Sequence, residues 1–307
     1  MKKIADYGKV FDILVNRTED YICNNNLKCM VLGISGGIDS TVVAAICHEV
    51  SKRTGVPLIG RSLPTKHNKE GETTTADLVG KAFCTNYQEV SIERTYKTLS
   101  NDLYGYECAL DFDGPQPTAL THGNIQARLR MIYLYNLAGM HKGLVMDTDN
   151  LTENNLGYFT IHGDVGDFNP IGGLWKTEVF ELASYIRNYY NFEARIHSNP
   201  KLIEEAFNKA TAVEESLKLK PTAGLGITNN DLEELEAESY DQVDAILQEI
   251  LAWKSMTKES SWNLKNFLDD QQFLNIPYKV VEAVAKRHFA SEFKRKQLPI
   301  KITRHEL

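Results

Sequence analysis

The stretch Lys28-Cys29-Met30-Val31-Leu32-Gly33-Ile34-Ser35-Gly36-Gly37-Ile38-Asp39-Ser40-Thr41-Val42-Val43 decides the fold of this chain. Residues 30–34 are a short apolar run rich in β-formers, which predicts a buried strand. Residues 41–50 follow a helical pattern, and Ser40 and Thr41 are good residues to begin a helix. The sequence therefore predicts a strand, a short turn and a helix in this order.

The turn, Ser35-Gly36-Gly37-Ile38-Asp39-Ser40, has the composition of a phosphate-binding loop. Paired glycines let a ligand approach the main chain, and the N–H groups of the turn and the helix N-terminus attract an anion. The serines add hydroxyl donors, and Asp39 can hold a divalent cation against the anion. The turn matches neither Walker A, which needs a lysine, nor the G-x-G-x-x-G fingerprint. A glycine turn that caps a helix by chance is the alternative interpretation.

Composition narrows the classes of function. The chain has 307 residues, of which 42% are apolar, and a net charge of −7. This length suits one large α/β domain, and the charge gives no reason to expect nucleic acid or an anionic membrane as a partner. Five cysteines without a C-x-x-C pair favour a reducing cytoplasm and argue against zinc or a dithiol site. Cys29 and Cys47 are expected to pack as small apolar side chains.

Strand and helix patterns alternate along the chain. Further strands are predicted for residues 56–63, 86–92 and 143–147. Helices are predicted for residues 4–25, 76–83, 123–133, 178–190, 199–218, 231–250 and 280–287, with loops at 66–75, 111–117 and 163–170 and a basic tail at 293–307. This alternation predicts an α/β protein with a doubly wound, mostly parallel sheet flanked by helices. Ligands of such sheets lie beyond the carboxyl ends of the strands, where the phosphate turn also lies.

Two acidic or polar side chains leave the carboxyl end of the strand at residues 143–147. Thr148 and Glu153 are therefore expected at the edge that carries the phosphate turn. Glu153 and Asp39 could hold Mg²⁺ jointly, one carboxylate from each side. A helix-capping acid is the alternative interpretation of Glu153.

Three basic residues are further candidates. Lys176 stands at the start of a helix, where its charge is unfavourable to the helix dipole, so another reason for it is expected. Arg128 and Arg130 are two residues apart on a helix and point in different directions, so at most one faces a given phosphate. A surface lysine and a solvated charged face remain open alternatives.

Beyond these features, the order of motifs resembles ammonia-dependent NAD⁺ synthetases, the amide-forming branch of the pyrophosphate-loop (N-type ATP pyrophosphatase) enzymes. After the phosphate turn, the matching stretches are Asn124 to Met131, Thr148-Asp149 to Glu153, Gly157-Tyr158-Phe159-Thr160 with Gly163-Asp164, Lys176, Pro221-Thr222-Ala223, Ser239-Tyr240-Asp241 and Lys294-Arg295 to Leu298-Pro299. The resemblance runs from about residue 10 to 300. It implies an adenine nucleotide alpha-hydrolase-like (Rossmann-like) fold in a single domain, 1–307, and a cytoplasmic homodimer.

The resemblance implies an amidation reaction. ATP would adenylate the nicotinate carboxylate of deamido-NAD⁺ with release of pyrophosphate, and ammonia would then displace AMP. Because triphosphate and carboxylate are both anionic, Mg²⁺ and a lysine must offset their repulsion. The 27 residues before the first strand are too few for a glutaminase domain, so free ammonia or a partner in trans is the expected nitrogen source.

The resemblance also implies roles for individual residues. The residues around ATP would be Gly33, Ser35, Gly36, Gly37, Asp39, Ser40, Arg130, Thr148, Lys176 and Thr222. Asp39 and Glu153 would hold Mg²⁺. The acid substrate would be held by Arg128, Tyr135, Tyr158, Asp167 and Lys294. The catalytic residues would be Asp39, Lys176 and Asp164, and we hypothesise that Asp164 orients or deprotonates incoming ammonium.

The sequence departs from the family pattern mainly on the acid-binding side. Asp147 replaces a glycine, which would put a carboxylate close to the nucleotide, and Ile161 replaces a lysine that in many members reaches the dinucleotide. Phe293 replaces a histidine, and Gly224 stands where an acid is common. Another pyrophosphate-loop adenylating enzyme with a different acid substrate is therefore the alternative function. An ATP-binding module without chemistry is a second alternative.

Overall fold

The computed structural model describes residues 4–66, 68, 70–110, 118–220, 231–270, 275–297 and 300–301. The strands are β1 Met30–Gly33, β2 Leu58–Ser62, β3 Asn86–Glu89, β4 Leu144–Val145, β5 Phe168–Asn169 and β6 Ile300–Lys301. The α-helices are α1 Tyr7–Asn24, α2 Ile38–Thr54, α3 Glu70–Phe83, α4 Glu93–Leu110, α5 Ala119–His141, α6 Leu151–Leu156, α7 Lys176–Ile196, α8 Pro200–Lys218, α9 Asp231–Glu234, α10 Tyr240–Met256, α11 Leu264–Asp270 and α12 Tyr278–Ala290. Short 3-10 helices span Glu259–Ser261 and Glu292–Gln297. Within these described ranges, none of the helices has the length and apolar character needed to cross a membrane.

The main sheet has four parallel strands in the order β3-β2-β1-β4. β1 lies centrally, and its first residue, Met30, pairs with Leu58 of β2 on one side and with Leu144 of β4 on the other. The chain therefore extends the sheet first in one direction and then, at β4, in the other. A crevice opens at such a reversal beyond the carboxyl ends of the strands. The predicted doubly wound parallel sheet is confirmed.

Apolar cores lie on both faces of this sheet. Met30 and Leu32 of β1 pack on the face covered by α1, α2 and α7. Val31, between them, packs on the opposite face together with Leu134 of α5. Because successive strand residues point to opposite faces, a strand that is covered on both sides reads as a continuous apolar run. Cys29 and Cys47 are both buried, as expected.

Several predicted boundaries were wrong. The segment expected to be a loop at 66–75 is helical from Glu70 onward. Its first turn carries polar residues such as Glu72 and Thr73, which line the cleft described below, and this polar composition was mistaken for that of a loop. The helix expected at 231–250 is divided into α9 and α10.

The expected loop at 163–170 contains β5, and the expected tail at 293–307 begins with a 3-10 helix and contains β6, which pairs with β5 in parallel. Strands of two residues are too short to show a periodic pattern. The turn-rich segment expected at 111–117 lies outside the described residues.

Candidate active site

The phosphate turn lies between β1 and α2 with a backbone that depends on glycine. Gly36 has φ of 85°, and a Cβ atom there would collide with the backbone oxygen of Glu72 in α3. Gly37 is the N-cap of α2, and its N–H donates to Ser35 Oγ at 3.2 Å. The hydroxyls of Ser35 and Ser40 lie 3.0 Å apart, across the opening of the turn. The predicted strand, turn and helix are confirmed, but the predicted start of the helix was wrong. α2 begins at Ile38, so Ser40 and Thr41 lie within its first turn and do not cap it.

A buried ion cluster lies directly beside the turn. Lys176 Nζ donates to Asp39 Oδ2 at 2.5 Å and to Glu153 Oε1 at 2.9 Å. Only 2% of the Lys176 side chain is exposed. This answers the question raised by a lysine at a helix start, because its charge is matched by two carboxylates rather than by solvent.

The charges of this cluster influence one another strongly. Burial and the nearby Asp39 carboxylate raise the pKa of Glu153 to about 7, although Lys176 opposes this shift. Burial alone would lower the pKa of Lys176, but Asp39 and Glu153 outweigh it and hold that pKa well above its usual value. Lys176 therefore carries its positive charge throughout the neutral pH range.

Helix caps and side-chain hydrogen bonds fix this cluster in place. Asn150 caps α6 by accepting from the N–H groups of Thr152 and Glu153, and its amide donates to Asp39 Oδ1 at 2.8 Å. The Glu153 carboxylate accepts from Asn150 N, so Glu153 is also the helix-capping acid of the alternative interpretation. Thr152 Oγ1 accepts from Lys176 N at 2.8 Å, which joins α6 to the start of α7.

The donor set fits Mg²⁺. Asp39 and Glu153 both contact one cation, Lys176 Nζ, so two carboxylates that could bind a metal ion lie together at this edge of the cleft. Within the described ranges, no group of three or more His, Cys, Asp and Glu side chains is arranged to hold a metal. One or two carboxylates completed by substrate phosphates are the usual surroundings of Mg²⁺ in nucleotide-processing enzymes.

Asp39, Glu153 and Lys176 open onto a cleft of about 880 Å³ above the sheet. Its lining includes the expected residues Gly33, Ser35, Gly37, Asp39, Ser40, Arg130, Thr148, Glu153, Tyr158, Asp164, Lys176 and Lys294. Gly36 lies in the turn behind the lining, and Thr222 lies outside the described residues. The positions of these residues are established here, whereas their roles remain predictions.

The two arginines of α5 separate as their spacing predicted. Arg130 is half-buried and lines the cleft, donating from Nε to Leu63 O at 3.0 Å and from its terminal nitrogen to Asn68 Oδ1 at 3.3 Å. Arg128 is exposed and donates to Ile161 O at 3.3 Å. A single arginine of the pair is thus available to a ligand inside the cleft.

Asp164 lies on the far side of the cleft. Its Oδ1 accepts from Thr160 N at 2.7 Å. Burial raises the pKa of Asp164 to about 7, against the opposing effects of Thr160 N–H and of Lys294, Arg130 and Arg128. Lys294 donates to the carbonyls of Gly157 and Phe159 at 2.8 and 2.6 Å, which holds its ammonium at the cleft wall.

Two predicted substrate residues lie away from the cleft. Tyr135 donates from its hydroxyl to Asp167 Oδ1 at 3.0 Å, and Asp167 Oδ2 accepts from Val145 N at 2.9 Å. Tyr135 lies on the exposed surface of α5, as does Arg128, and Asp167 is exposed directly before β5. The chain itself therefore brings together Tyr158 and Lys294 but not the other three residues.

Arg287 and Asp149 are among the cleft residues that were not selected from the sequence. Arg287 of α12 stacks on Tyr158, with its guanidinium 4.6 Å from the ring centre. Asp149 lines the cleft behind Thr148 and belongs to a matching motif, which is the signal that could have identified it. Asp147, which was expected near the nucleotide, instead accepts from the N–H groups of Asp149 and Gly166 with its two oxygens and is absent from the described cleft lining.

Comparison with known proteins identifies the family. The family model described as NAD synthase matches residues 10–298. The chain belongs to the NAD synthase family. It is therefore a ligase of this family, and the ATP binding and the role in NAD biosynthesis that were predicted are confirmed at this level.

Individual relatives match along nearly the whole chain. The NH(3)-dependent NAD(+) synthetase of Thermococcus sibiricus is 34% identical over 296 residues, which cover 96% of this chain and 97% of the relative. That of Pyrococcus furiosus is 32% identical and covers 94% of each chain. Among solved structures, the NMN synthetase from Francisella tularensis superimposes with a TM-score of 0.68 at 26% identity, covering 95% of this chain and 97% of that one.

Proposed function

We propose that the protein joins ammonia to the nicotinate carboxylate of deamido-NAD⁺, using ATP, with release of AMP and pyrophosphate. The observation that carries this proposal is the Lys176 ammonium between Asp39 and Glu153, beside a phosphate turn and in one cleft with Asp164. The names of the relatives from Thermococcus and Pyrococcus support both the reaction and ammonia as the nitrogen donor.

In the adenylation step, the turn would bind the phosphates of ATP. Ser35, Ser40 and the N–H groups of the turn would hydrogen-bond the leaving pyrophosphate. Asp39 and Glu153 would hold Mg²⁺, which offsets the repulsion between the triphosphate and the attacking carboxylate. Lys176 would then face the phosphates as a fixed positive charge, and Thr148 and Arg130 would orient the nucleotide. Catalysis is mainly positioning and charge stabilisation.

The acid-binding side would be completed by a second copy of the chain. Tyr158 and Lys294 lie in the cleft, whereas Arg128 and Tyr135 lie on the surface of α5, where Tyr135 contacts Asp167. Beside them α5 exposes large apolar side chains, with Ile132 64% and Met140 69% exposed. We propose that this face forms a homodimer and that the surface residues meet the acid substrate there.

A mononucleotide substrate is the second candidate. It is favoured by the similarity to the Francisella NMN synthetase and by Ile161, which lacks the positive charge expected near a dinucleotide. Nicotinate mononucleotide presents the same carboxylate, so the adenylation chemistry would be unchanged.

We further propose that the chain is one catalytic domain that works in the cytoplasm on free ammonia.

A coupled assay tests both candidates. The protein is supplied with ATP, Mg²⁺, ammonium and either deamido-NAD⁺ or nicotinate mononucleotide, and amide, AMP and pyrophosphate are followed together. Equal appearance of all three with deamido-NAD⁺ supports the proposal. Turnover with the mononucleotide alone moves the function to the second candidate, and no pyrophosphate with either acid contradicts both.

A further inference from the structure

Asp149 is a buried carboxyl group of the cleft to which no role has been assigned above. Its main chain is held on both sides, since its N–H donates to Asp147 Oδ1 at 2.7 Å and its carbonyl accepts from Asn169 Nδ2 at 2.7 Å. Only 8% of the residue is exposed. Its Oδ2 is buried and has no hydrogen-bond partner in the part of the chain that the structure describes. Because buried oxygens are normally hydrogen-bonded and Asp149 is one of the residues that line the cleft, Oδ2 is a candidate acceptor for a ligand that enters there.

The charges around Asp149 indicate which kind of ligand this is. Apart from burial, the strongest influences on the pKa of Asp149 are the carboxylates of Asp147, Asp164, Glu153 and Asp39, and the Lys294 ammonium also interacts with it. A negative surrounding of this kind favours a small cation that can donate hydrogen bonds.

Asp164 has different neighbours. Lys294, Arg130 and Arg128 all act on it, so three cations oppose the influence of the neighbouring Asp149 carboxylate. The two carboxyl groups of the cleft are therefore not equivalent, and Asp149 is the better site for a cation.

The proposed amidation requires such a cation. Ammonium must lose one proton before its nitrogen can attack, and the nitrogen must lose a second proton after the bond to carbon has formed. Two proton acceptors are needed, and Asp149 and Asp164 are two buried carboxyl groups that line the same cleft.

Resting on the proposed amidation, we propose that Asp149 binds the ammonium ion through Oδ2 and takes its first proton. The freed lone pair of ammonia forms the C–N bond to the acyl carbon of the adenylate. The C–O bond to AMP breaks, and AMP leaves with that electron pair. Asp164 takes the second proton from nitrogen, which leaves the neutral amide.

The raised pKa of Asp149 agrees with its role as the acceptor of the first proton. Burial, strengthened by the neighbouring carboxylates, holds the pKa of Asp149 well above its usual value. Ammonium holds its proton more tightly than an ordinary carboxyl group does, so a carboxylate can accept that proton efficiently only if its own proton affinity is raised. The positive charge of bound ammonium keeps Asp149 ionised until the transfer, and both partners are neutral afterwards.

The substitution Asp149→Asn tests this proposal in three assays on the full chain. The first is acid-dependent exchange between ATP and pyrophosphate without ammonium, which reports adenylation alone. The second is amidation with ammonium between roughly pH 7 and pH 9. The third replaces ammonium by hydroxylamine, which is largely unprotonated near neutral pH and has no first proton to lose, and measures the hydroxamate.

For Asp149→Asn we expect adenylation and hydroxamate formation within about threefold of the unmodified protein, while kcat/KM for ammonium near neutral pH falls about 10²-fold or more. The remaining amidation should rise about tenfold per pH unit, following the fraction of dissolved ammonia. Asp77→Asn is the control, because it removes a carboxylate from the surface of α3, outside the described cleft lining and away from Asp149. It should keep the ratio of amidation to exchange, and thermal melting checks the fold of both variants.

Other outcomes overturn the proposal. Equal losses in all three assays would assign Asp149 to ATP binding or to the fold. Unchanged amidation with ammonium would remove it from proton transfer. If the unmodified protein shows no pyrophosphate exchange with deamido-NAD⁺ or with nicotinate mononucleotide, the proposed function itself fails. This outcome is distinguishable, because it is seen in the protein without any substitution.

Discussion

The two sides of the cleft differ in how completely one chain builds them. On the proposed ATP side, the turn after β1, the cap of α6 and the first residue of α7 bring Asp39 and Glu153 within hydrogen-bond distance of Lys176. On the acid side, Lys294 lies in the cleft, whereas Arg128 lies on the outer surface of α5.

This difference shows which part of the cleft is preorganised before a substrate binds. The ATP side is held by buried backbone and side-chain hydrogen bonds, so it is set before any substrate arrives. The acid side depends on α12, on short segments near the C-terminus and on a surface that we propose to be covered by a second copy. Preorganisation is greatest where charge must be stabilised in the transition state.

The largest effect is expected from Asp39→Ala. It removes one of the two carboxylates proposed to hold Mg²⁺, and turnover should fall about 10³-fold or more. The fold should persist, because Lys176 keeps its ion pair with Glu153. Steady-state amidation and thermal melting measure the two effects, with Asp77→Ala on the surface of α3 as control. Near-normal activity would remove Asp39 from the metal site.

The second largest loss of activity is expected from Lys176→Ala. It removes the fixed charge proposed to face the phosphates, so adenylation should slow about 10²-fold to 10³-fold while binding of the acid changes by less than about threefold. Pyrophosphate exchange and equilibrium binding of the acid separate these effects. Lys81→Ala, at a lysine whose side chain is 70% exposed, should change neither. A loss of acid binding alone would contradict the role given to Lys176.

A smaller effect is expected from Arg128→Ala on the acid side. The KM for the acid should rise about tenfold, corresponding to one charge-assisted hydrogen bond, with the KM for ATP unchanged. Ile132→Asp, at an exposed apolar residue of the same helix, should produce monomers and raise the KM for the acid similarly. Sedimentation and kinetics measured together test this link. Dimers that persist with Ile132→Asp, or an unchanged KM in monomers, would contradict an acid site completed by the partner.

The smallest effect concerns stability on the acid side. His288 of α12 is buried, and its Nδ1 donates to Asn155 O at 3.1 Å. Burial, with help from Arg295 and Lys254, lowers the pKa of His288 to about 2, from the ordinary value of 6.5. Because the unfolded chain then binds the proton more readily, His288 destabilises the fold as pH falls below about 6.5.

Urea unfolding at neutral pH and at about pH 5 tests this expectation. His288→Asn keeps a donor for Asn155 O, so the variant should lose less free energy of unfolding on acidification than the unmodified protein does. An equal loss in both proteins would mean that His288 titrates normally in the folded state. Buried acids with raised pKa values, such as Asp164, act in the opposite direction, which is why the comparison is made between the two proteins.

Local chemistry explains which features were predictable. The strand at residues 30–34, the glycine turn and α2 could be predicted because apolar runs, positive-φ glycines and helix caps act within a few residues. The separation of Arg128 from Arg130 followed from helical geometry alone. The two-residue strands β5 and β6 were missed, because such short pairings leave no periodic signal and depend on segments more than a hundred residues apart.

The sequence by itself determined the parallel sheet, the phosphate turn at its edge and the arrival of Thr148 and Glu153 beside that turn. Only the tertiary structure decided that Lys176 contacts two carboxylates, that Asp147 turns toward backbone N–H groups and that Asp149 Oδ2 is buried without a hydrogen-bond partner among the residues that the structure describes. The physical reason is that propensity and capping act along the chain, whereas burial and charge pairing depend on groups that meet only after folding.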